Sequence, residues 1–272
     1  MLDLFDTHTH LDAPEFDHDR EAVIARARAA GVRYFLTVGV GGGLDSARRI
    51  LPIIATHDFI WGSVGVHPHN AAIPLDIEAL NELASHPKIV AIGETGLDFF
   101  HDHCPHERQE LWFRAQIELA LRLKKPLIIH SRNAGPTCLR ILKEMHADQI
   151  GGVFHCFSED QSFAAELFEI NFRLSVPGTV TFKKAETLRE VIRSAPLHQI
   201  LLETDAPYLA PVPYRGKRCE SAYMVETAKM VADLKGLPLE ELAAQTSANA
   251  FTLFGINPIR GENILDECRR MS

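Results

Sequence analysis

Cysteine is scarce in this sequence and poorly spaced for pairing. The 272 residues contain five cysteines, an odd number, and no two of them form a Cys-x-x-Cys pair. A disulfide framework needs paired cysteines, and a thiolate zinc site needs closely spaced ones. The sequence therefore argues against both and fits a reducing compartment, so we expect a cytoplasmic protein.

Long apolar runs and an excess of positive charge are also missing. No apolar run approaches the roughly 18 residues that a membrane span needs, and residues 1–6 lack the basic start of a signal peptide. The chain has 28 Lys and Arg against 36 Asp and Glu, a net charge of −8. This counts against sequence-independent binding to long duplex nucleic acid, which depends on a basic surface. A nucleic-acid substrate stays open, because bound divalent cations supply positive charge locally.

Short strand-like runs alternate with helical periodicities along the chain. The runs rich in β-branched and other apolar residues lie at 2–7, 32–38, 59–66, 89–93, 126–129, 152–154, 172–175 and 200–204. Helical spacing follows many of them, for example at 20–30, 111–123, 225–234 and 239–254. Eight strand-then-helix units predict a parallel sheet of the α/β class, and closure into a (β/α)8 TIM barrel is favoured over an open sheet of about six strands. We expect one barrel domain over residues 1–256, followed by a polar tail at 257–272.

Side chains suited to metal binding and acid–base chemistry recur where the predicted strands end. They are His8, His10, His67, Glu94, His130, His155 and Asp205. The carboxyl ends of barrel strands converge on one face, where active sites are built. Several imidazoles and two carboxylates brought together there make a site for one or two divalent metal ions.

The pair His8 and His10 is the best placed of three His-x-His pairs. Alternate residues of a strand point to the same side, with Cα atoms about 7 Å apart, so both rings can reach one ion. The same spacing recurs at His67 and His69 and at His101 and His103. Pro68 disrupts strand geometry in the second pair, and the third lies in a loop before a helix, where we expect solvated side chains.

The two carboxylates each leave two interpretations open. Glu94 either forms a strand-end salt bridge or bridges two ions with its two oxygens. Asp205 either caps a strand end or binds an ion and accepts a proton from water. Glu203 shares a strand face with Asp205 and either supports the site or forms a structural ion pair. Lysine is missing from all these strand ends, so neither a carbamylated-lysine bridge nor a Schiff-base lysine is indicated.

An ordered set of short motifs resembles the TatD family of metal-dependent deoxyribonucleases, within the amidohydrolase superfamily. The motifs run from residue 6 to about 256 and read DTHTHLD (6–12), GVHP (65–68), GETGLD (93–98), HSR (130–132), HCFS (155–158), ETDAP (203–207), LAP (209–211), RGKR (215–218) and TSANA (246–250). The chain departs from the family at 219–221, where Cys-Glu-Ser replaces the common Asn-Glu-Pro. It also departs at 159–160, where Glu-Asp replaces glycine and a small polar residue.

The resemblance implies two divalent metal ions, Mg, Mn or Zn, as cofactors. It assigns His8, His10 and Asp205 to one ion and His130 and His155 to the other, with Glu94 between them. Catalytic roles are expected for Asp205, which would orient or deprotonate water, for Glu94, and for His67, which would stabilise a phosphate or leaving oxygen. The expected substrate-binding residues are Arg132, Arg215, Lys217 and Arg218.

The activity implied is hydrolysis of DNA phosphodiester bonds, from the 3′ end of single strands. We expect the protein to be a monomer. The same centre on different loops would also suit an ester, lactone or amide carbonyl, as in D-aminoacyl-tRNA deacylation, and the fold does not decide between phosphorus and carbon. A barrel that binds metal only for stability, or that serves as a scaffold for a partner, is a third interpretation.

Overall fold

Eight parallel strands and nine α-helices alternate in the part of the chain that the computed structural model describes, residues 2–39, 44–101 and 103–257. The strands are β1 (Leu4–Thr9), β2 (Val32–Gly39), β3 (Ile60–Val64), β4 (Ile89–Asp98), β5 (Leu127–Arg132), β6 (Gly152–Phe154), β7 (Phe172–Val176) and β8 (Ile200–Leu202). The helices are α1 (Arg20–Ala30), α2 (Leu44–Thr56), α3 (Ile77–Ala84), α4 (His106–Leu123), α5 (Gly135–Glu144), α6 (Gln161–Glu169), α7 (Glu186–Ser194), α8 (Met224–Lys235) and α9 (Leu239–Phe254). Residues 258–272 of the expected tail lie outside the described residues.

The strands pair in chain order from β1 to β8, each parallel to the next. The seam between β1 and β8 closes near the carboxyl ends of the strands, where Asp205 N–H donates to the His8 carbonyl at 2.9 Å and His10 N–H donates to the Ala206 carbonyl at 2.8 Å. Asp6 reinforces the seam by accepting from the N–H and hydroxyl of Thr204 at 3.0 and 2.7 Å. The predicted (β/α)8 TIM barrel is confirmed.

Two apolar clusters hold the barrel together. The larger lies between the strands and the surrounding helices. The smaller is built from residues that alternate with it along the strands, among them Tyr34, Leu36 and Val38, and so faces the barrel interior. Phe251 of α9 packs edge-on to Phe5 at 5.4 Å and belongs to this inner cluster. The apolar layers leave the carboxyl ends of the strands for polar side chains.

β3 and β8 end two residues earlier than the runs read in the sequence, at Val64 and Leu202. Three strands extend more than one residue beyond those runs: β1 runs to Thr9 rather than to residue 7, β4 to Asp98 rather than to residue 93, and β5 to Arg132 rather than to residue 129. The apolar runs stop there, but extended backbone and parallel pairing continue through the polar residues at the mouth of the barrel. Hydropathy alone does not register this continuation, since a polar side chain that faces other polar side chains does not end a strand. None of the helices in the described residues is long and apolar enough to cross a membrane.

Gly96 lets β4 lie close to β5 next to the functional residues. Its φ is +134°, a conformation that L side chains rarely adopt, and a Cβ atom there would collide with the carbonyl oxygen of His130. Gly216, in the loop after β8, also has a positive φ, +82°, but has open space around it. Substitutions at these two glycines therefore distinguish the cost of backbone strain alone from the cost of strain together with a steric clash.

We expect Gly96→Ala to destabilise the protein much more than Gly216→Ala. Backbone strain alone costs about 1–2 kcal/mol for an L residue at positive φ, and the clash with a strand carbonyl should at least double the loss at Gly96. Urea unfolding of both variants measures the two free energies of unfolding. Equal losses would show that β4 and β5 do not need glycine at this position.

Candidate metal centre

The barrel gathers the seven functional residues expected from the strand ends at its mouth. β1 carries His8 and leads into His10, and β8 leads into Asp205 on the other side of the seam. The remaining four come from β3 through β6, namely His67, Glu94, His130 and His155. The ends of six of the eight strands thus bring together residues that are spread over almost two hundred positions of the sequence.

Glu94 lies at the centre of the cluster, and its two oxygens face different histidines. Oε2 is 3.4 Å from Nε2 of His8. Oε1 is 2.7 Å from Nε2 of His155 and 2.8 Å from Nδ1 of His130. The side chain is only 5% exposed. This carboxylate is therefore shared between two separate groups of imidazole nitrogens.

Asp205 completes the group on the β1 side. Its Oδ1 lies 3.3 Å from Nε2 of His10 and 3.8 Å from Nε2 of His8. The residue has φ +58°, a left-handed conformation in which aspartate is more common than most side chains. Its side chain is 15% exposed, so it is accessible from the mouth of the barrel.

Acceptors lie behind three of the histidines, at hydrogen-bond distance for His10 and His130 and farther away for His155. Nδ1 of His10 donates to the carbonyl of Val38 at 2.9 Å, and Nε2 of His130 lies 3.2 Å from Oδ2 of Asp98. Nδ1 of His155 lies 3.7 Å from the buried carboxylate of Glu203. A ring nitrogen that donates to such an acceptor leaves the other nitrogen with a free lone pair. In all three rings this second nitrogen points towards Glu94 or Asp205.

The residues present fit divalent metal ions. Both ring nitrogens of His8 are buried without a hydrogen-bond partner within the described residues, which is costly unless another ligand satisfies them. The ligand atoms of three overlapping triads each lie within 4.8 Å of one another. These triads are His8, His10 and Glu94; His8, His155 and Asp205; and Glu94, His130 and His155. Neutral imidazole and carboxylate donors of this kind suit Zn, Mn, Ni or Mg.

The electrostatics of the cluster favour ionised carboxylates. Burial raises the pKa of Glu94, but the neighbouring His155 and His67 outweigh it and hold that pKa well below its usual value. Burial lowers the pKa of His10, but its contact with Asp205 outweighs that effect and raises the pKa to about 9. Burial and the proximity of His155 lower the pKa of His8. A proton and a metal ion compete for the same nitrogens, so metal binding should release protons here.

His67 is held as a neutral hydrogen-bond donor beside Glu94. Its Nδ1 accepts from the N–H of His69 at 3.1 Å, which leaves the ring proton on Nε2. Nε2 faces Oε1 of Glu94 at 3.4 Å. Burial, the largest influence, lowers the pKa of His67 to about 4, so the ring is neutral at neutral pH.

Asp98, His69 and His101 form a polar group beside the centre that the sequence interpretation did not assign. Oδ2 of Asp98 is 2.6 Å from Nε2 of His69 and 2.9 Å from Nδ1 of His101, and the same oxygen contacts His130. The expectation that the His101 side chain is solvated was wrong, because it is bound to this carboxylate. The sequence signal was present, since Glu94, Gly96 and Asp98 alternate along one face of β4.

The four expected substrate-binding residues differ in their surroundings. Arg132 lies over the ring of Phe100 at 4.7 Å, and Arg215 lies over the ring of Phe182 at 4.2 Å. The Nζ atom of Lys217 is 5.7 Å from the centre of the Tyr214 ring.

Arg218 is paired with acidic side chains. Its guanidinium lies 2.8 Å from Asp19 and 2.9 Å from Glu220. These carboxylates neutralise its charge and tie the loop after β8 to the start of α1. A phosphate contact by Arg218 stays a prediction and would have to compete with them.

Comparisons with known proteins match nearly the whole chain. Residues 5–255 match the family model described as TatD-related DNase. The chain is 43% identical over 256 residues to the uncharacterized metal-dependent hydrolase YabD of Bacillus subtilis (strain 168), covering 93% of this chain and 100% of that protein. It is 36% identical over 261 residues to the 3′–5′ ssDNA/RNA exonuclease TatD of Klebsiella pneumoniae (strain 342), covering 93% and 98%.

A solved structure extends the likeness to the fold. The crystal structure of YJJV, a TatD homologue from Escherichia coli K12, superposes with a TM-score of 0.88 at 31% identity. The alignment covers 93% of this chain and 98% of that one. The chain therefore matches these relatives in sequence and in fold over nearly their full lengths.

We expect His8→Ala to lose bound metal, whereas His18→Ala keeps it. His8 lies between Glu94 and Asp205, while His18 is exposed in a turn. Metal content after dialysis, measured by inductively coupled plasma mass spectrometry, should fall by at least one ion per chain in His8→Ala only. Chelation should lower the melting temperature of the wild type, because a ligand bound to the native state stabilises it. Equal metal content in both variants would contradict the assignment of His8.

Proposed function

The chain belongs to the family of TatD-related DNases and is a metal-dependent hydrolase; from that premise we propose that it hydrolyses DNA phosphodiester bonds, as an exonuclease that acts from the 3′ ends of single strands. The observation that carries the proposal is the Glu94 carboxylate, whose oxygens face His8 on one side and His130 with His155 on the other. This arrangement supports a two-ion centre, the type that phosphatases and nucleases use. The printed function of the Klebsiella pneumoniae relative supports the same substrate class and direction.

His8, His10 and Asp205 would hold one ion, and His130 and His155 the other, with Glu94 in contact with both. Divalent ions bound there would offset the charge of a phosphodiester and lower the pKa of an attacking water. The described residues provide no lysine or arginine paired with Glu94 or Asp205 that would do this instead.

Two side chains of the cluster are suited to proton handling. Asp205 is held ionised at neutral pH, because contact with His10 outweighs the burial that raises its pKa. Its carboxylate would orient the water and accept its proton. His67 would donate its Nε2–H to a phosphoryl or leaving oxygen, since its Nδ1 is already occupied by the His69 N–H.

Phe100 and Arg132 extend the site towards a nucleotide. The Phe100 ring follows β4, is 58% exposed, and lies under the guanidinium of Arg132 at the end of β5. Exposed aromatic rings stack on nucleobases, and a guanidinium binds phosphate oxygens. This pair would therefore contact the terminal nucleotide while the centre contacts its phosphate.

The direct test is digestion of 5′-labelled single-stranded DNA with Mg²⁺ or Mn²⁺. We expect a ladder that shortens from the 3′ end, is lost with EDTA, and slows by about 100-fold or more in Asp205→Asn, because this change removes both the proposed general base and a proposed metal ligand. An intact oligonucleotide under every metal, with metal still measured in the protein, would contradict DNA hydrolysis. D-aminoacyl-tRNA and simple esters would then be the substrates to assay, since attack on a carbonyl is the alternative for this centre.

A second test concerns the Phe100 ring as a surface on which a base stacks, which we call the Phe100 platform. Phe100→Ala should raise KM for single-stranded DNA by about tenfold, since base stacking on an aromatic side chain contributes about 1–3 kcal/mol. Leu111→Ala, a loss of exposed apolar surface on α4, is the matched control and should change nothing. An oligonucleotide with an abasic 3′-terminal residue should be cleaved equally by Phe100→Ala and the wild type. Equal KM values on normal DNA would refute the platform.

A further inference from the structure

Four exposed cations cluster on the loops that follow β7 and β8. Lys183 and Lys184 lie just after the short helical turn Gly178–Thr181, and Arg215 and Lys217 lie in the long loop after β8. We call these four residues the cationic rim. Lys183 and Lys184 belong to none of the motifs read in the sequence, and only the fold brings them next to Arg215.

Contacts between the two loops hold the rim together. Arg215 stacks over the ring of Phe182, the residue before Lys183, at 4.2 Å. The N–H of Val212 donates to the hydroxyl of Thr181 at 2.9 Å. The two lysines and the two residues of the RGKR motif are therefore parts of one surface.

The charges of the rim are not neutralised within the protein. Across residues 2–39, 44–101 and 103–257, none of the four forms an ion pair with a carboxylate. Some cations on the outer helices are paired, since Arg114, Arg140 and Lys143 each contact glutamates. In a chain of net charge −8, a group of unpaired cations beside the candidate metal centre is a local departure from the overall charge.

The rim lies across the mouth from the Phe100 platform. Strands β7 and β8 are three to four places from β4 in the order of eight, so their loops stand on roughly opposite sides of a closed barrel. The metal centre lies between them. The rim is open rather than pocket-like, with side chains that are exposed, which suits an extended polyanion better than a single small anion.

We infer that the cationic rim binds the backbone of single-stranded DNA on the 5′ side of the bond that is cleaved. The inference rests on the proposed function and deepens it, since an enzyme that removes 3′-terminal nucleotides has the rest of the strand on one side only. Flexible lysines and an arginine bind successive phosphates with little dependence on base sequence. The rim would give affinity that grows with strand length, while the metal centre and the Phe100 platform hold the terminal nucleotide.

The test measures binding separately from cleavage. Fluorescence anisotropy of labelled phosphorothioate DNA of two and twelve nucleotides, which resists hydrolysis, is recorded with metal-loaded protein, with and without Lys183→Gln/Lys184→Gln. For the longer strand we expect the double substitution to weaken binding about tenfold. The slope of log K against log salt should become shallower by about 1.4, because each of the two lost phosphate contacts contributes about 0.7. Binding of the dinucleotide should not change.

The matched control removes the same charge from the other end of the barrel. Arg122 and Lys124 are exposed at the end of α4, so Arg122→Gln/Lys124→Gln should leave both affinities and the salt slope as they are. Equal effects of the two double variants would overturn the inference in favour of general charge attraction. Wild-type affinity and slope in Lys183→Gln/Lys184→Gln would overturn it as well.

The same measurements distinguish a failure of the inference about the rim from a failure of the proposed function. If the wild type cleaves no DNA but its length-dependent binding is lost in Lys183→Gln/Lys184→Gln, DNA binding by the rim is supported and the nuclease proposal is wrong. If the wild type cleaves DNA from the 3′ end and the double variant shows unchanged KM on the longer strand, the nuclease proposal is supported and DNA binding by the rim is wrong.

Discussion

The site is organised around the buried carboxylate of Glu94. A carboxylate removed from water needs compensating charge or donors, and in the described residues the nearest groups are the imidazoles of four histidines. Neutral imidazoles, the form in which histidine binds a metal ion, offer only partial compensation. A cluster of this composition is therefore stable as a ligand shell, with divalent cations supplying the positive charge that the side chains lack.

The rest of the structure keeps that shell in place. Val38, Asp98 and Glu203 lie behind His10, His130 and His155 and direct one nitrogen of each ring to the centre. Their supports come from different strands, so the orientation of the rings depends on the register of the whole barrel. Hydrogen bonds across the β1–β8 seam fix Asp205 against His8 in the same way. Metal binding and barrel closure are thus coupled through the same few contacts.

The sequence predicted the barrel and the principal residues because both follow from simple periodicities. Apolar runs of strand length repeat eight times, and the polar residue after each run is placed by the geometry of parallel strands. It predicted less where contacts between side chains, local or distant in the chain, decide the outcome. The role of His101 depends on a carboxylate three residues earlier, and the pairing of Arg218 depends on Asp19, almost two hundred residues away. Lys183 and Lys184 carry no local signal at all, because their neighbours on the surface come from another loop.

The central claim is that Glu94 lies between two ions, and anomalous scattering from crystals grown with Mn²⁺ tests it most directly. The account predicts two peaks, one beside Oε2 with His8, His10 and Asp205, the other beside Oε1 with His130 and His155. A single peak that leaves one of these sets without a metal, or peaks only at His69, Asp98 and His101, would contradict it.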